Sequence, residues 1–190
     1  MEEATHLIQS ARQGELEAFN CLVLMYQDLV FWQAIWMLDE PGSAEEVTQQ
    51  TFLLAYRKPR SFQDGDFACW LLKIASRLCL EELHRRKSGH SSPQKARDHD
   101  GIEVDAVFCV NGLLGSPEDN AGQHDLVKIV QESLNGLSSD LRAVITLVDI
   151  WEMDYTQTAE ILGISVRSVK SRLARARAQL REMLLAPSRL

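Results

Sequence analysis

Residues 155–184 read YTQTAEILGISVRSVKSRLARARAQLREML, and this stretch decides the fold of the C-terminal part of the chain. A helix-turn-helix needs a small residue in its first helix, a turn that often contains glycine, and apolar residues that fix the crossing of the helices. Ala159, Gly163 and Val169 occur in that order. Ser165 is placed to cap the second helix, because its hydroxyl can accept a hydrogen bond from a backbone N–H two or three residues further on. The stretch therefore predicts a helix-turn-helix.

The second helix of this motif is strongly basic. Its apolar residues recur at helical spacing and form the predicted buried face, which consists of Val166, Val169, Leu173, Ala176, Leu180 and Leu184. The basic residues avoid that face and have no acid between them; they are Arg167, Lys170, Arg172, Arg175, Arg177 and Arg181. A charge run of this kind can be an ordinary solvated face. Because this run lies in the second helix of a helix-turn-helix pattern, it favours a recognition helix that enters the DNA major groove.

Two groups of side chains on this helix are candidate DNA contacts. Those nearest its N-terminus are best placed to reach base edges, namely Arg167, Ser168, Lys170 and Ser171. Those further along are better placed to reach phosphates, namely Arg172, Arg175 and Arg177.

The composition is that of a soluble globular protein that could form one ordinary domain or two small ones. The chain has 190 residues, of which 45% are hydrophobic and 25% charged, with a formal net charge of -7. The negative charge is local: residues 1–56 and 98–125 are strongly acidic, and the remainder is net positive. The four cysteines lack C-x-x-C spacing, which favours reduced intracellular thiols. We find no signal peptide and no run approaching about 20 apolar residues, and we expect a cytoplasmic protein.

The remaining periodicities are helical. One amphipathic helix is predicted from Glu15 to Leu38, and Pro41-Gly42 ends it. Ser43 can cap the next helix, which Pro59 stops, and a third runs from Phe67 to Arg86. Further helices are predicted at about 118–136 and 138–152. The intervening segment, rich in Gly, Ser, Asp and Asn, is typical of a tether.

The predicted architecture is therefore all-α. It consists of two small helical domains, residues 1–88 and 118–190, joined by a flexible acidic linker, residues 89–117.

Three ordered blocks resemble one known family. They are AEEVTQQTFLLAYRKPRSF (44–62), FACWLLKIASRLCLEELHRRK (67–87) and LNGLSSDLRAVITLVDIWEMDYTQTAEILGISVRSVKSRLARARAQLRE (134–182). Together they resemble the sigma-70 family, specifically its extracytoplasmic-function (ECF) group. The resemblance implies a sigma-2 domain that binds RNA polymerase and opens the minus-ten promoter element. It also implies a sigma-4 domain that reads the minus-thirty-five element.

The resemblance also assigns residues to these roles. The block that matches polymerase binding contains Glu45, Glu46, Gln49, Gln50 and Phe52. The minus-ten region matches a loop that holds a flipped base, together with a basic surface that follows the strand. Its residues are Arg60, Ser61, Phe62, Gln63, Asp64, Gly65, Asp66, Phe67, Trp70, Lys73, Arg77 and Arg85. Trp70 could stack on a base, although a Trp at helical spacing from Ile74 is more often a core residue.

Some positions depart from the family pattern. Gln50 replaces a usual Glu, Arg77 a frequent Asn, Glu81 a usual Asp, and Arg167 a common Gly. Because of these departures, the resemblance does not determine which promoter sequence is recognised.

The implied function is that of an alternative sigma factor, whose partners are bacterial core RNA polymerase and promoter DNA. An anti-sigma factor is also expected. We expect no cofactor, no metal site, no catalytic residue, no small-molecule substrate and no direct membrane insertion. Two rival interpretations remain: a helix-turn-helix regulator that acts without being a polymerase subunit, and an adaptor that binds polymerase without reading DNA.

Overall fold

The computed structural model describes residues 2–58, 62, 66–88 and 120–185. Regular structure in these ranges is entirely helical, which confirms the all-α prediction. The α-helices are α1 (Glu2–Arg12), α2 (Leu16–Leu38), α3 (Pro41–Arg57), α4 (Phe67–Lys87), α5 (Asn120–Asn135), α6 (Ser139–Ile145), α7 (Tyr155–Leu162) and α8 (Val166–Leu185). A π-helix, Thr146–Ile150, continues α6. The predicted linker, residues 89–117, lies outside the described residues.

The chain divides into two compact units, Met1–Cys79 and Leu80–Leu190. The core of the first unit is built around α2, against which α1 and α3 pack. Within this unit α4 joins the core through a buried hydrogen bond of 2.9 Å from Gln33 Nε2 to Ser76 Oγ. The C-terminal half of α2 is buried on several faces, because it is packed by more than one helix; Trp36 and Met37 are examples.

The start of α3 differs from the prediction. Glu40, rather than Ser43, is the N-cap, since its carboxylate accepts hydrogen bonds from the backbone N–H groups of Gly42 (3.0 Å) and Ser43 (2.7 Å). Pro41 occupies the first turn, where its missing N–H costs nothing. Pro41-Gly42 therefore opens the helix instead of separating it from α2, whose end is marked by Asp39 in a left-handed conformation.

Helix α2 also corrects our expectation that no stretch is long and apolar enough to span a membrane. It meets that criterion by length and composition, with a mean hydropathy of 1.4, but 44% of the apolar window is buried inside the protein.

The second unit places α8 against α6 and α7. Val169, Leu173 and Ala176 form the buried contact stripe of α8. The predicted stripe was too long, because Val166 is 37% exposed and Leu184 is 54% exposed. Both residues lie in terminal turns of α8, where burial of the stripe ends.

Candidate nucleic-acid interface

The helix-turn-helix is present and capped at each junction. Asp154 and Gln157 form a capping box at the start of α7, with Asp154 Oδ1 accepting from the Thr156 N–H (2.7 Å) and the Gln157 N–H (2.8 Å). Gly163 ends α7 with a φ of 65°. Ser165 then caps α8 as predicted, since its hydroxyl accepts from the Ser168 N–H at 3.1 Å. The turn is therefore fixed by local hydrogen bonds on both sides.

Gly163 should be sensitive to substitution for backbone reasons alone. A Cβ added there would meet nothing within 4 Å, but the φ of 65° is one that L side chains rarely adopt. We expect Gly163→Ala to lower the free energy of unfolding by about 1–2 kcal/mol. Gly163→Asn should lower it less, because Asn tolerates this conformation. Urea denaturation of the full chain measures both, and equal stability of Gly163→Ala and the parent protein would contradict the expectation.

The cations of α8 fall into two classes. Arg167 and Arg175 are exposed, and among the described residues neither has a hydrogen-bond or ion-pair partner. Arg177 donates to Asp149 through Nε (3.0 Å) and Nη2 (2.6 Å), and Arg172 Nη2 lies 3.3 Å from an Asp140 oxygen. The hydrogen bond that Arg177 donates to Asp149 raises the pKa of Arg177. Such exposed pairs contribute at most about 1 kcal/mol to stability.

The other polar residues near the start of α8 are also distinguishable. Lys170 is exposed, with its Nζ 5.6 Å from the centre of the Tyr155 ring, a cation–π distance. Ser168 is half-buried, and its hydroxyl lies 2.9 Å from the Ser165 hydroxyl. Ser171 is exposed. Of the two serines, Ser171 is the more open to a ligand, because Ser168 is engaged in the cap.

Three of the residues that the resemblance assigns to the minus-ten element, Phe62, Phe67 and Trp70, form an aromatic cluster with Tyr26. Phe62 and Phe67 are buried, and their ring centres are 5.3 Å apart. Trp70 packs 5.5 Å from Phe62 and 5.3 Å from Phe67, and Tyr26 lies 5.3 Å from Phe67. Burial, with a smaller effect of the Asp66 charge, raises the pKa of Tyr26. The cluster places Trp70 in a half-buried structural position, in line with the core alternative.

Other residues assigned to the minus-ten element are polar and lie in α4 or just before it. Asp66 caps α4, because its Oδ1 accepts from the Ala68 N–H at 2.8 Å. Lys73 and Arg77 are exposed and lie one turn apart on α4. The remaining predicted loop residues, Arg60, Ser61, Gln63, Asp64 and Gly65, lie outside the described residues.

The basic end of α4 is ordered by one acid. Glu82 accepts from Arg85 Nε and from Arg86 Nε, each at 2.8 Å. Partial burial acts to raise the pKa of Glu82, but the hydrogen bonds and charges of the two arginines outweigh it and lower that pKa. Glu82 thus stays ionised and holds the guanidinium groups of both arginines.

The face of α3 assigned to polymerase borders an apolar groove. Glu45 and Glu46 are half-buried, Gln49 and Gln50 are exposed, and Phe52 is buried. The groove has a volume of about 480 Å³. Its apolar lining comes from α2 and α3 and comprises Leu16, Phe19, Val23, Phe52, Leu53 and Tyr56. Sequence periodicity did not predict this groove.

The sequence matches two family models in chain order. Residues 22–89 match sigma-70 region 2, and residues 128–180 match sigma-70 region 4. The ECF RNA polymerase sigma-E factor of Escherichia coli K12 is 32% identical over 174 residues, covering 90% of this chain and 88% of that protein. The chain belongs to the sigma-70 family. ECF sigma factor SigW of Bacillus subtilis is 29% identical over 178 residues, covering 93% of this chain and 94% of SigW. This sigma factor is thus of the ECF group.

Two solved structures share its fold. CnrH, solved with the cytosolic domain of CnrY, matches with a TM-score of 0.69 and 25% identity, covering 98% of this chain and 99% of CnrH. RpoE of Bartonella quintana, solved with the anti-sigma factor NepR, matches with a TM-score of 0.65 and 24% identity over 90% of this chain and 99% of RpoE. The protein is an alternative sigma factor of RNA polymerase, and its partners are core polymerase and promoter DNA. Sigma factors are initiation factors rather than catalysts.

One departure of this sigma factor from its family has a visible structural counterpart. Gln50 Nε2 donates to Glu46 Oε1 at 3.1 Å, a hydrogen bond that the carboxylate of the usual Glu could not donate. No group of three or more His, Cys, Asp or Glu residues that could hold a metal ion occurs within the described ranges.

Proposed function

We propose that residues 1–88 act as sigma-2, residues 118–190 as sigma-4, and residues 89–117 as the linker between them. Two observations support the end of sigma-2 at residue 88: helix α4 continues without a break to Lys87, and the match to sigma-70 region 2 ends at residue 89. The match to sigma-70 region 4, residues 128–180, falls inside the proposed sigma-4 domain. The proposed linker includes most of the second acidic stretch of the sequence.

In this proposal α8 reads the minus-thirty-five element. Arg167, Ser168, Lys170 and Ser171 face base edges, and Arg172, Arg175 and Arg177 face phosphates. The observation that carries the assignment is the exposure of Arg167 and Arg175 without a partner among the described residues, on a helix fixed by its own caps. Uncompensated guanidinium groups in such a position suit phosphate oxygens and the acceptors of guanine.

The minus-ten element is met by the loop before α4 and by the surface of α4. The loop, Ser61 to Phe67, would receive the flipped base, and Phe62 and Phe67 anchor its ends in the aromatic cluster. Extruding a base from the duplex costs a few kcal/mol, which a pocket that stacks the base and bonds its edge can offset. Lys73, Arg77 and Arg85, with Arg60, provide the positive charge that a displaced strand follows.

The α3 face is the proposed polymerase contact. Glu45, Glu46, Gln49 and Gln50 form a polar row beside the apolar groove, which Phe52 lines. A partner helix can place apolar residues in such a groove and polar ones on the row.

The remaining parts of the proposal concern regulation and place. An anti-sigma factor is a third partner, which is supported by the CnrH relative having been solved with the cytosolic domain of CnrY. The protein works in the cytoplasm, where polymerase acts, and is not itself an enzyme. It uses no cofactor, because tighter binding to open than to closed DNA can supply the free energy of promoter opening.

Run-off transcription tests the proposal. Purified core polymerase is supplied with sheared genomic DNA, with and without the full chain, and start sites are mapped. We expect discrete new starts that share upstream elements at minus ten and minus thirty-five. An absence of starts, together with tight duplex binding by the chain alone, would instead support a regulator that is not a polymerase subunit.

A further inference from the structure

Two aspartates beside α8 hold two of its arginines. Asp149, in the π-helix, accepts from Arg177 through both carboxylate oxygens, at 3.0 and 2.6 Å. Asp140, in α6, lies 3.3 Å from Arg172. Arg172 and Arg177 are two of the three residues assigned above to phosphates. Each carboxylate therefore engages an arginine that the proposed function directs to DNA.

The two pairs flank the buried stripe of α8. At 3.6 residues per turn, Arg172 falls on one side of the stripe formed by Val169, Leu173 and Ala176, and Arg177 falls on the other. Lys170 lies on the same side as Arg177, and both have Tyr155 as a neighbour. A carboxylate, that of Asp140 or Asp149, therefore lies at each edge of the basic face of α8.

The chemistry of the Arg177 pair is that of a phosphate contact. Two parallel N–H groups of a guanidinium meet two oxygens, which is also how arginine binds a phosphate bidentately. A DNA phosphate must displace Asp149 from this edge or use another edge beside a negative charge. The Arg177 side chain is 52% exposed and the Asp149 side chain 31%, so both groups are within reach of such a ligand.

We propose that Asp149 restrains DNA binding by competing with backbone phosphates for Arg177, and that Asp140 does so more weakly for Arg172. The weaker effect of Asp140 follows from its single, longer contact. This inference rests on the proposed function, because it requires α8 to meet DNA. It assigns the two acids a role in setting affinity, in addition to their small contribution to stability.

The expected signature is electrostatic. Each phosphate that a protein neutralises adds about 0.9 to the slope of log affinity against log salt. Freeing Arg177 by Asp149→Asn should steepen that slope by about 0.9 and raise low-salt affinity for duplex of arbitrary sequence by roughly three- to tenfold. Asp140→Asn should act in the same direction with a smaller effect.

The experiment is fluorescence anisotropy of a labelled duplex of arbitrary sequence with the full chain, over a series of NaCl concentrations. Glu182→Gln is the matched control. It removes one negative charge, as Asp149→Asn does, but at an exposed position of α8, and Glu182 has no ion-pair partner within the described residues. Asp149→Glu keeps the charge and should bind as the parent does. Asp149→Asn combined with Arg177→Gln should lose the gain, and thermal unfolding checks that each variant is folded.

The outcomes separate this inference from the proposed function. A gain for Asp149→Asn beyond that of Glu182→Gln, lost in the double variant, supports the proposal. Binding equal to or weaker than that of Glu182→Gln overturns it, and so does an equal gain for Asp149→Glu. If Arg167→Gln with Lys170→Gln weakens duplex binding while Asp149→Asn changes nothing, only this inference fails. If that basic-residue variant is also without effect on binding and transcription, the assignment of α8 to DNA fails.

Discussion

Replacing Arg167 and Lys170 together by glutamine will lower promoter-specific binding of the holoenzyme by at least about 30-fold, since each well-formed base contact contributes about 1–3 kcal/mol. Both side chains are exposed in the first turns of α8, where a recognition helix meets base edges. Neither lies on the buried stripe, so the variant should fold. The loss should appear as fewer transcripts from starts that depend on the minus-thirty-five element.

The control for this variant is Lys128→Gln combined with Arg181→Gln. It changes the net charge by the same amount at exposed positions, one on α5 and one near the end of α8. A loss of binding that depends only on overall charge would be equal in the two double variants. That result would contradict the assignment of Arg167 and Lys170 to base readout.

Phe67→Ala should lower the free energy of unfolding of the first unit by about 3–5 kcal/mol, the usual cost of removing a buried Phe. Phe67 is buried, and its ring lies 5.3 Å from the rings of Tyr26, Phe62 and Trp70. The change leaves a cavity among three aromatic residues and releases the end of the proposed base-binding loop. Since whole domains are stable by about 5–15 kcal/mol, this loss removes a large share of the stability of the first unit, and promoter opening should be reduced.

Hydrogen exchange of the full chain locates this effect. Amides of α2 and α4 should lose protection in Phe67→Ala, while those of α7 and α8 keep theirs. Leu53→Ala is the matched control, because Leu53 belongs to the same unit but is 54% exposed, and it should cost much less than Phe67→Ala. A loss of less than about 1 kcal/mol for Phe67→Ala would show that the cluster is not a core.

Most of the helices were predictable from the sequence, because local periodicity and capping residues specify them, but α1 and the π-helix were not predicted. The turn at Gly163 and the cap at Ser165 depend on a few adjacent residues, and both were predicted. The cap of α3 was misassigned because Pro-Gly is compatible with the end of one helix and with the start of another. The Asp154 capping box was overlooked, although an Asp followed three residues later by Gln is its recognisable signature.

Contacts distant in sequence could not be predicted. Asp149 and Arg177 are 28 positions apart, and their meeting depends on the π-helix and on the crossing of α8 with the preceding helices. Arg172 and Arg177, which have no acid beside them within α8, therefore pair with acids of preceding helices. Similarly, the burial of Phe62 depends on α4 folding back onto α2, which periodicity within a single helix does not specify.

The capping box of α7 also determines what the motif can offer to a duplex. Helix N-termini often hold a DNA phosphate through open backbone amides. Here the amides of Thr156 and Gln157 already donate to Asp154, whose carboxylate occupies the place such a phosphate would take. In the proposed complex, the amides of Thr156 and Gln157 are therefore not open to a phosphate, and we expect the side chains of α8 and the bound polymerase to provide the affinity for DNA.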